Sequence, residues 1–296
     1  MIDRYALRYF LAVVDNGNFS RAAAQVNVAQ PTLSVGIAKL EKKLGVRLFH
    51  RTSKRVHLTP EGTRFLNHAR TIENEFNAAE SAVRAEGSAE QLRVGLLNSI
   101  ATDYIDGAIK RAGKPMGQVE FVEGSERQLA NHLARGRVDI ALTLVGRGGD
   151  RFLEETLYEE GYALALASDH PLAKEDMIPA EALGNEIMMV RRHCEALSET
   201  SRHFTERGVR PFFAFRSTDD DKILKMVACG LGITVMPQGH EAAGVVRPKM
   251  LGFDIRRKIG VAFGHHKEAL AQTSHPVIDA FRAGASSVLV DLAIKP

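Results

Sequence analysis

A chain of 296 residues with 45% hydrophobic and 25% charged residues has globular proportions and enough length for two domains. No run of about 18 apolar residues suggests a membrane span, and Met1-Ile2-Asp3-Arg4 opens an amphipathic stretch and not a secretory leader, so a cytoplasmic protein is expected. Two cysteines cannot build a disulfide scaffold and no Cys/His spacing resembles a zinc module, so neither metal nor cofactor is expected.

The net charge of +3 conceals an asymmetry: residues 1–70 carry 12 Lys/Arg against 4 Asp/Glu, and the rest of the chain carries 27 against 32. Cationic charge gathered at one end suits a polyphosphate partner, because neutralised phosphates release their counterions. In chain order, Leu7, Phe10, Leu11 and Val14 give a first helix one apolar face, ended by the turn-forming Asp15-Asn16-Gly17-Asn18. Ser20 is expected to cap a short second helix, whose Ala22, Ala23 and Ala24 allow close crossing. Pro31 opens a third helix with an apolar stripe of Leu33, Ile37, Leu40 and Leu44, and Gly45 stops it. Its polar face presents Gln30, Thr32 and Ser34, then Lys39, Lys42 and Lys43: the order of a recognition helix that puts its first turn on base edges and its later lysines on phosphates. Alternation in Val46–Phe49 and Val56–Leu58 predicts a two-stranded wing whose tip holds Arg51, Lys54 and Arg55.

Ala29-Gln30-Pro31-Thr32-Leu33-Ser34, Lys39-Leu40-Glu41, Leu44-Gly45, Leu48-Phe49-His50-Arg51 and Leu58-Thr59-Pro60-Glu61-Gly62 resemble the LysR-type transcriptional regulators in order and spacing. The resemblance implies a winged helix-turn-helix over residues 1–59 and carries DNA contact onto Gln30, Pro31, Thr32, Ser34, Arg51 and Lys54. One departure stands out: Val35 and Gly36 replace the polar or basic residues that usually follow the serine, so base reading there is either apolar contact with a thymine methyl or absent altogether.

Thr59-Pro60-Glu61 starts a linker helix over 60–88, and Phe65, Ala69, Ile72, Phe76, Ala79 and Val83 recur at heptad spacing along it. That seam asks for a second helix, so a homodimer on double-stranded DNA with an inverted-repeat operator is expected; the alternative is packing on the chain's own second domain.

From Gln91 onward, short apolar runs alternate with helices: strands at Leu92–Leu97, Val119–Val122, Val138–Leu144, Tyr162–Ala167, Ile187–Val190, Phe212–Phe215 and Ile233–Met236, a helix at Ile100–Arg111, and another opened by a Ser125/Gln128 capping box and closed by Gly136. This predicts an α/β domain with mainly parallel sheets. Ligands of such sheets bind at strand C-terminal ends. Asn98, Ser99, Ser125, Thr143 and Thr218 fall there, and Arg191, Arg192 and His193 add charge, so a small, anionic effector is expected.

Gly136-Arg137-Val138-Asp139-Ile140-Ala141, His170-Pro171-Leu172-Ala173 and the run Cys229 to Pro237 are similar to the LysR-type effector domain. The resemblance implies a periplasmic-binding-protein-like domain over 89–296 with two subdomains, about 89–161 plus 264–296 and about 162–263, the effector lying between them. It further implies a homotetramer, with RNA polymerase as a partner at promoters.

Cys194 beside Arg191, Arg192 and His193 is expected to have a lowered thiol pKa, which makes a thiol-based redox sensor the alternative function; Cys229 falls in an apolar pattern that reads as buried and inert. His193-Cys194 has no third orienting group, so no enzyme is expected, and His265-His266 reads as a surface or strand-end pair. A stand-alone solute receptor would fit residues 91–296 and leave the basic head unexplained.

Overall fold

The computed structural model describes residues 2–51, 56–84, 91–147 and 151–294. The chain divides into two compact units, Met1–Ser88 with Ala134–Gly136, and Ala89–Leu133 with Arg137–Pro296.

The first unit is built on α1 (Arg4–Asn16), α2 (Phe19–Gln25) and α3 (Gln30–Leu44), followed by the hairpin β1 (Phe49–Arg51) and β2 (Val56–Leu58) and the 25-residue helix α4 (Pro60–Arg84). Its core joins Leu7, Phe10 and Val13 of α1, Ala22 and Ala23 of α2, and Leu33, Ile37 and Leu40 of α3 with Leu48, Phe49 and Ala69. Two local details differ from the sequence reading. Asn18, not Ser20, caps α2, its side chain accepting from the Ser20 and Arg21 amides. The hairpin begins at Phe49 and not at Val46, because the Leu48 amide is already committed to the Glu41 carboxylate of α3 at 2.8 Å.

In the second unit come β3 (Leu92–Leu97), α5 (Thr102–Ala112), β4 (Val119–Gly124), α6 (Glu126–Ala134), β5 (Ile140–Leu144) and β6 (Leu153–Ala167). Then follow β7 (Met177–Ile178), β8 (Ile187–Arg191), α7 (Leu197–Glu206), β9 (Phe212–Ser217), α8 (Asp220–Ala228), β10 (Thr234–Pro237), β11 (Val245–Val246), β12 (Lys249–Met250), β13 (Arg256–Phe263) and α9 (Pro276–Ile294). The principal sheet runs β10-β6-β13-β5-β3-β4 and is mixed, not mainly parallel. Strands β3, β4 and β5 are parallel, but β13 is antiparallel to both β5 and β6.

Strand β6 is 15 residues long, where the sequence suggested only its last six, and it serves two cores. Tyr158 joins the core of β3, β5, β13 and α9, whereas Tyr162, Leu164 and Leu166 join a second core with Met188, Phe204 and Ile233. On its other face, Ala165 packs with Met189, Ile223, Leu224 and Val227. Strand β6 thus runs through both lobes, and β13 pairs with its first part, from Leu153 to Gly161.

Candidate functional site

Helix α3 lies with Leu33, Ile37 and Leu40 turned into the core, which leaves Gln30, Pro31, Thr32, Val35, Lys39, Lys42 and Lys43 exposed and Ser34 half-buried. Gly36 faces α1: a Cβ there would stand 2.6 Å from Tyr9 Cδ2, so the residue is small for packing and its neighbour Val35, 53% exposed, is the apolar group offered outward. The remaining quoted motifs turn out to be joints. Thr59 Oγ donates to the Arg47 carbonyl at 2.7 Å and accepts from the Gly62 amide at 2.9 Å, while the Thr59 amide donates to the Leu48 carbonyl at 3.0 Å. Gly62 itself approaches the Leu48 carbonyl so closely that a Cβ would stand 2.1 Å from its oxygen. The wing-tip residues Lys54 and Arg55, and the side chain of Arg51, lie outside the described residues.

The heptad seam of α4 is divided. Phe65 and Ala69 do not face a partner helix, as the seam required, but the chain's own winged core: the Phe65 ring centroid is 5.0 Å from that of Phe10, and Ala69 is fully buried. Ile72, Phe76 and Ala79 are exposed, and the Val83 side chain lies outside the described residues. The Arg4 guanidinium sits 4.8 Å over the Phe76 ring and pairs with Glu73 at 3.1 Å.

In the second unit, the parallel register of β3 with β4 and β5 brings the C-terminal ends of the three strands side by side. Asn98 and Ser99 leave β3 there, and Thr143 lies near the end of β5. The Asn98 Oδ1 and Thr143 Oγ1 atoms are buried and have no hydrogen-bond partner among the described residues. Ser99 is buried and engaged by a residue absent from the sequence reading: Arg257 Nη1 donates to its Oγ at 2.9 Å and Nη2 to its carbonyl at 2.8 Å. Arg257 also pairs with Glu160 at 2.7 Å and with Glu195, whose carboxylate accepts from Tyr162 Oη at 2.7 Å. Burial alone would raise the Glu195 carboxyl, but the Arg257 charge and the hydrogen bonds hold it at about 2. In sequence Arg257 is the middle of the cationic run Arg256-Arg257-Lys258, with nothing to set it apart from its neighbours.

Of the charged candidates, Arg192 is exposed and does not belong to the buried cluster; its neighbour Arg191 does. Arg191 grips Asp220 through Nε at 2.6 Å and through Nη2, and Nη1 donates to Cys194 Sγ at 3.4 Å. His193 Nε2 and His240 Nε2 stand 3.2 and 3.3 Å from Asp220 Oδ2. Burial disfavours the Asp220 charge, yet these hydrogen bonds, Arg191 first, hold its carboxyl far below the usual range; burial likewise lowers the His240 imidazole. Ser125 spends its hydroxyl in the capping box with Gln128, 2.8 Å away, and Thr218 is exposed beside Asp219, which caps α8 in its place.

Both cysteine expectations are corrected. Burial raises the Cys194 thiol, outweighing the opposing pull of Arg191, and Cys229 is exposed at the C-terminus of α8. Of the histidine pair, His265 contacts Glu268, but His266 is a buried partner of Asp139 at 2.8 Å. Among the described residues no group of three or more His, Cys, Asp or Glu could hold a metal ion, and no helix is long and apolar enough to cross a membrane.

A winged helix-turn-helix followed by a two-lobed α/β domain defines a class, and the sequence comparisons agree on it. Residues 5–63 match the family of bacterial regulatory helix-turn-helix proteins, lysR family, and residues 85–285 match the LysR substrate binding domain. The chain is 33% identical over 239 residues to the hydrogen peroxide-inducible genes activator of Haemophilus influenzae, covering 78% of this chain and 79% of that one. It is 29% identical over 267 residues to the DNA-binding transcriptional dual regulator OxyR of Escherichia coli K12, covering 87% and 88%. A full-length OxyR variant from Pseudomonas aeruginosa shares the fold with a TM-score of 0.57 at 23% identity, over 95% of each chain. The chain belongs to the LysR family. It is a DNA-binding transcriptional regulator with an effector-binding domain.

Proposed function

We propose that the effector is a small, uncharged, hydrogen-bonding molecule held by Asn98, Ser99 and Thr143. One observation carries this reading: Arg191 and Arg257 are both committed to carboxylates, whereas Asn98 Oδ1 and Thr143 Oγ1 have no partner. The Arg191 guanidinium is held by Asp220 and that of Arg257 by Glu160 and Glu195, so a carboxylate guest would lose its hydration and compete with these carboxylates for the same two cations. Thermal-shift measurements on matched acid and amide pairs of small metabolites test it. Amides should raise Tm where their acids do not, and the opposite ranking refutes the reading.

Binding in the second unit must favour one arrangement of the assembly to signal, since a guest with equal affinity for both shifts nothing. The assembly is a homodimer or homotetramer joined through the exposed Ile72, Phe76 and Ala79 face of α4, reading an inverted-repeat operator in the cytoplasm and meeting RNA polymerase at promoters. It works by binding and not by catalysis.

A second reading makes the uncharged guest a peroxide that oxidises Cys194, and the Arg191 Nη1 contact on Sγ favours it. Relatives named hydrogen peroxide-inducible genes activators support it as well. The Cys194 thiolate would attack one peroxide oxygen, the O–O bond would break, hydroxide would leave and a sulfenic acid would remain. Cys229 is badly placed to complete a disulfide: Arg191 and Asp220 tie Cys194 to the start of α8, and Cys229 follows its end, about 13 Å along the axis. Intact-mass analysis after hydrogen peroxide, with Cys194→Ser as control, decides; no added oxygen at Cys194 removes the reading.

A further inference from the structure

We propose that Val35 reads the 5-methyl group of a thymine and so sets base preference at one position of each half-site. The inference rests on the DNA-binding assignment and adds the group read. On the outward strip of α3, Val35 is 53% exposed, one turn after Pro31 and one turn before Lys39, with Thr32 and Ser34 beside it. Gly36, behind it, is taken up by Tyr9, so Val35 is held facing away from the core by the α1–α3 contact. The open groove between α1 and α3 is lined by Ile2, Asp3, Tyr5, Val35, Lys39 and Lys43: an apolar floor with two lysines on the α3 side and, on the α1 side, the Asp3 carboxylate, which accepts from the Ala6 amide as the helix cap. Lysines along α3 suit a polyanion, and on the major-groove edges of duplex DNA the apolar group is the thymine methyl. Of the other exposed side chains of the first two turns, Gln30 and Thr32 carry hydrogen-bonding groups and address other edges, while Pro31, one turn before Val35, is a second apolar group on the same strip.

The occupant is therefore one strand of a duplex, its phosphates on the α3 lysines and a thymine methyl against the Val35 isopropyl group. Valine offers no hydrogen bond, so it distinguishes thymine from cytosine by the methyl alone, and 5-methylcytosine should pass where cytosine does not.

The test uses the full-length protein and the tightest duplex recovered from a randomised pool, with each thymine replaced singly by deoxyuridine. At one thymine per half-site, deoxyuridine should weaken the wild-type protein about fourfold, the value of one buried methyl. Val35→Ala, whose single methyl stands further from the base, should bind the parent duplex more weakly and lose most of the sensitivity to deoxyuridine at that position only. Val35→Thr, which keeps one of the two methyl groups, should fall between the wild type and the alanine variant. Affinity for the parent duplex reports DNA binding by itself, so a failure there is distinguishable from a failure of the methyl contact. If no deoxyuridine position weakens the wild type, or if the variants keep the same sensitivity, Val35 faces something other than a base and the proposal is overturned.

Discussion

Arg257 and Ser99, 158 positions apart in sequence, meet through two hydrogen bonds, 2.9 Å to the hydroxyl and 2.8 Å to the carbonyl. The same guanidinium pairs with Glu160 and Glu195, so one side chain ties the turn after β3 to β6 and to the segment before α7. Arg257→Met leaves two buried carboxylates without their cation. It should lower unfolding free energy by about 3 to 5 kcal/mol, the usual loss from a broken buried pair. Urea unfolding of the full chain measures this, and a loss under about 1 kcal/mol would show the cluster to be well hydrated.

Acid should unfold the protein in two stages. The native fold depresses the His240 pKa, through burial first, so the unfolded chain takes up a proton first as pH drops below 6.5; stability present above that value declines. Glu195 and Asp139 are held at about 2 against ordinary values of 4.5 and 3.8, so their contribution is full above about 4.5 and disappears toward pH 2. For Glu195 this amounts to something on the order of 3 kcal/mol. Unfolding free energies measured at pH 7, 5.5 and 3 should fall at each step, and a flat profile between 7 and 5.5 would contradict the His240 assignment.

Gly62→Ala should damage the first unit more than its size suggests, because the added carbon meets the Leu48 backbone oxygen and not a movable side chain. A loss of about 1 to 3 kcal/mol, the range for overpacking, is expected in the first unit's transition, with the second unit's unchanged. Hydrogen exchange resolved by segment separates the two.

Ile72→Glu places a charge on the exposed strip of α4 without touching the winged core. If that strip joins two copies, sedimentation equilibrium should show dimers dissociating at least tenfold more readily. Unchanged association would move the interface elsewhere.

Ser34→Ala should reduce preference for the operator over random DNA by about 1 to 3 kcal/mol, the value of one base contact. Lys39→Ala should instead weaken both alike, which competition titrations at two salt concentrations distinguish.

Legibility followed the physics of each element. Helix α3 is visible in sequence because its apolar stripe, its proline and its stopping glycine all act locally. By contrast, the division of the α4 seam is hidden: Phe65 and Ile72 have the same heptad signature, and only the folded head decides that one of them is covered by Phe10. Asn98, Ser99 and Thr143 were within reach because strand ends are local features, yet which cation answers them depends on β13, whose arginine returns from far along the chain. Arg191 and Arg192 look alike in sequence; the first is the buried last residue of β8, and the second stands exposed in the turn that follows.

The two lobes of the second unit are joined by β6 and β13, laid antiparallel with an irregularity at Ile259/Gly260. Gly260 lies so close to the Glu155 carbonyl that a Cβ would stand 2.1 Å from it. A two-ribbon spine of this kind folds like a book: the covers can tilt about the spine, but sliding one past the other would break the ladder rung by rung. A guest that bridged the covers would therefore change their tilt and leave the register of the ladder intact.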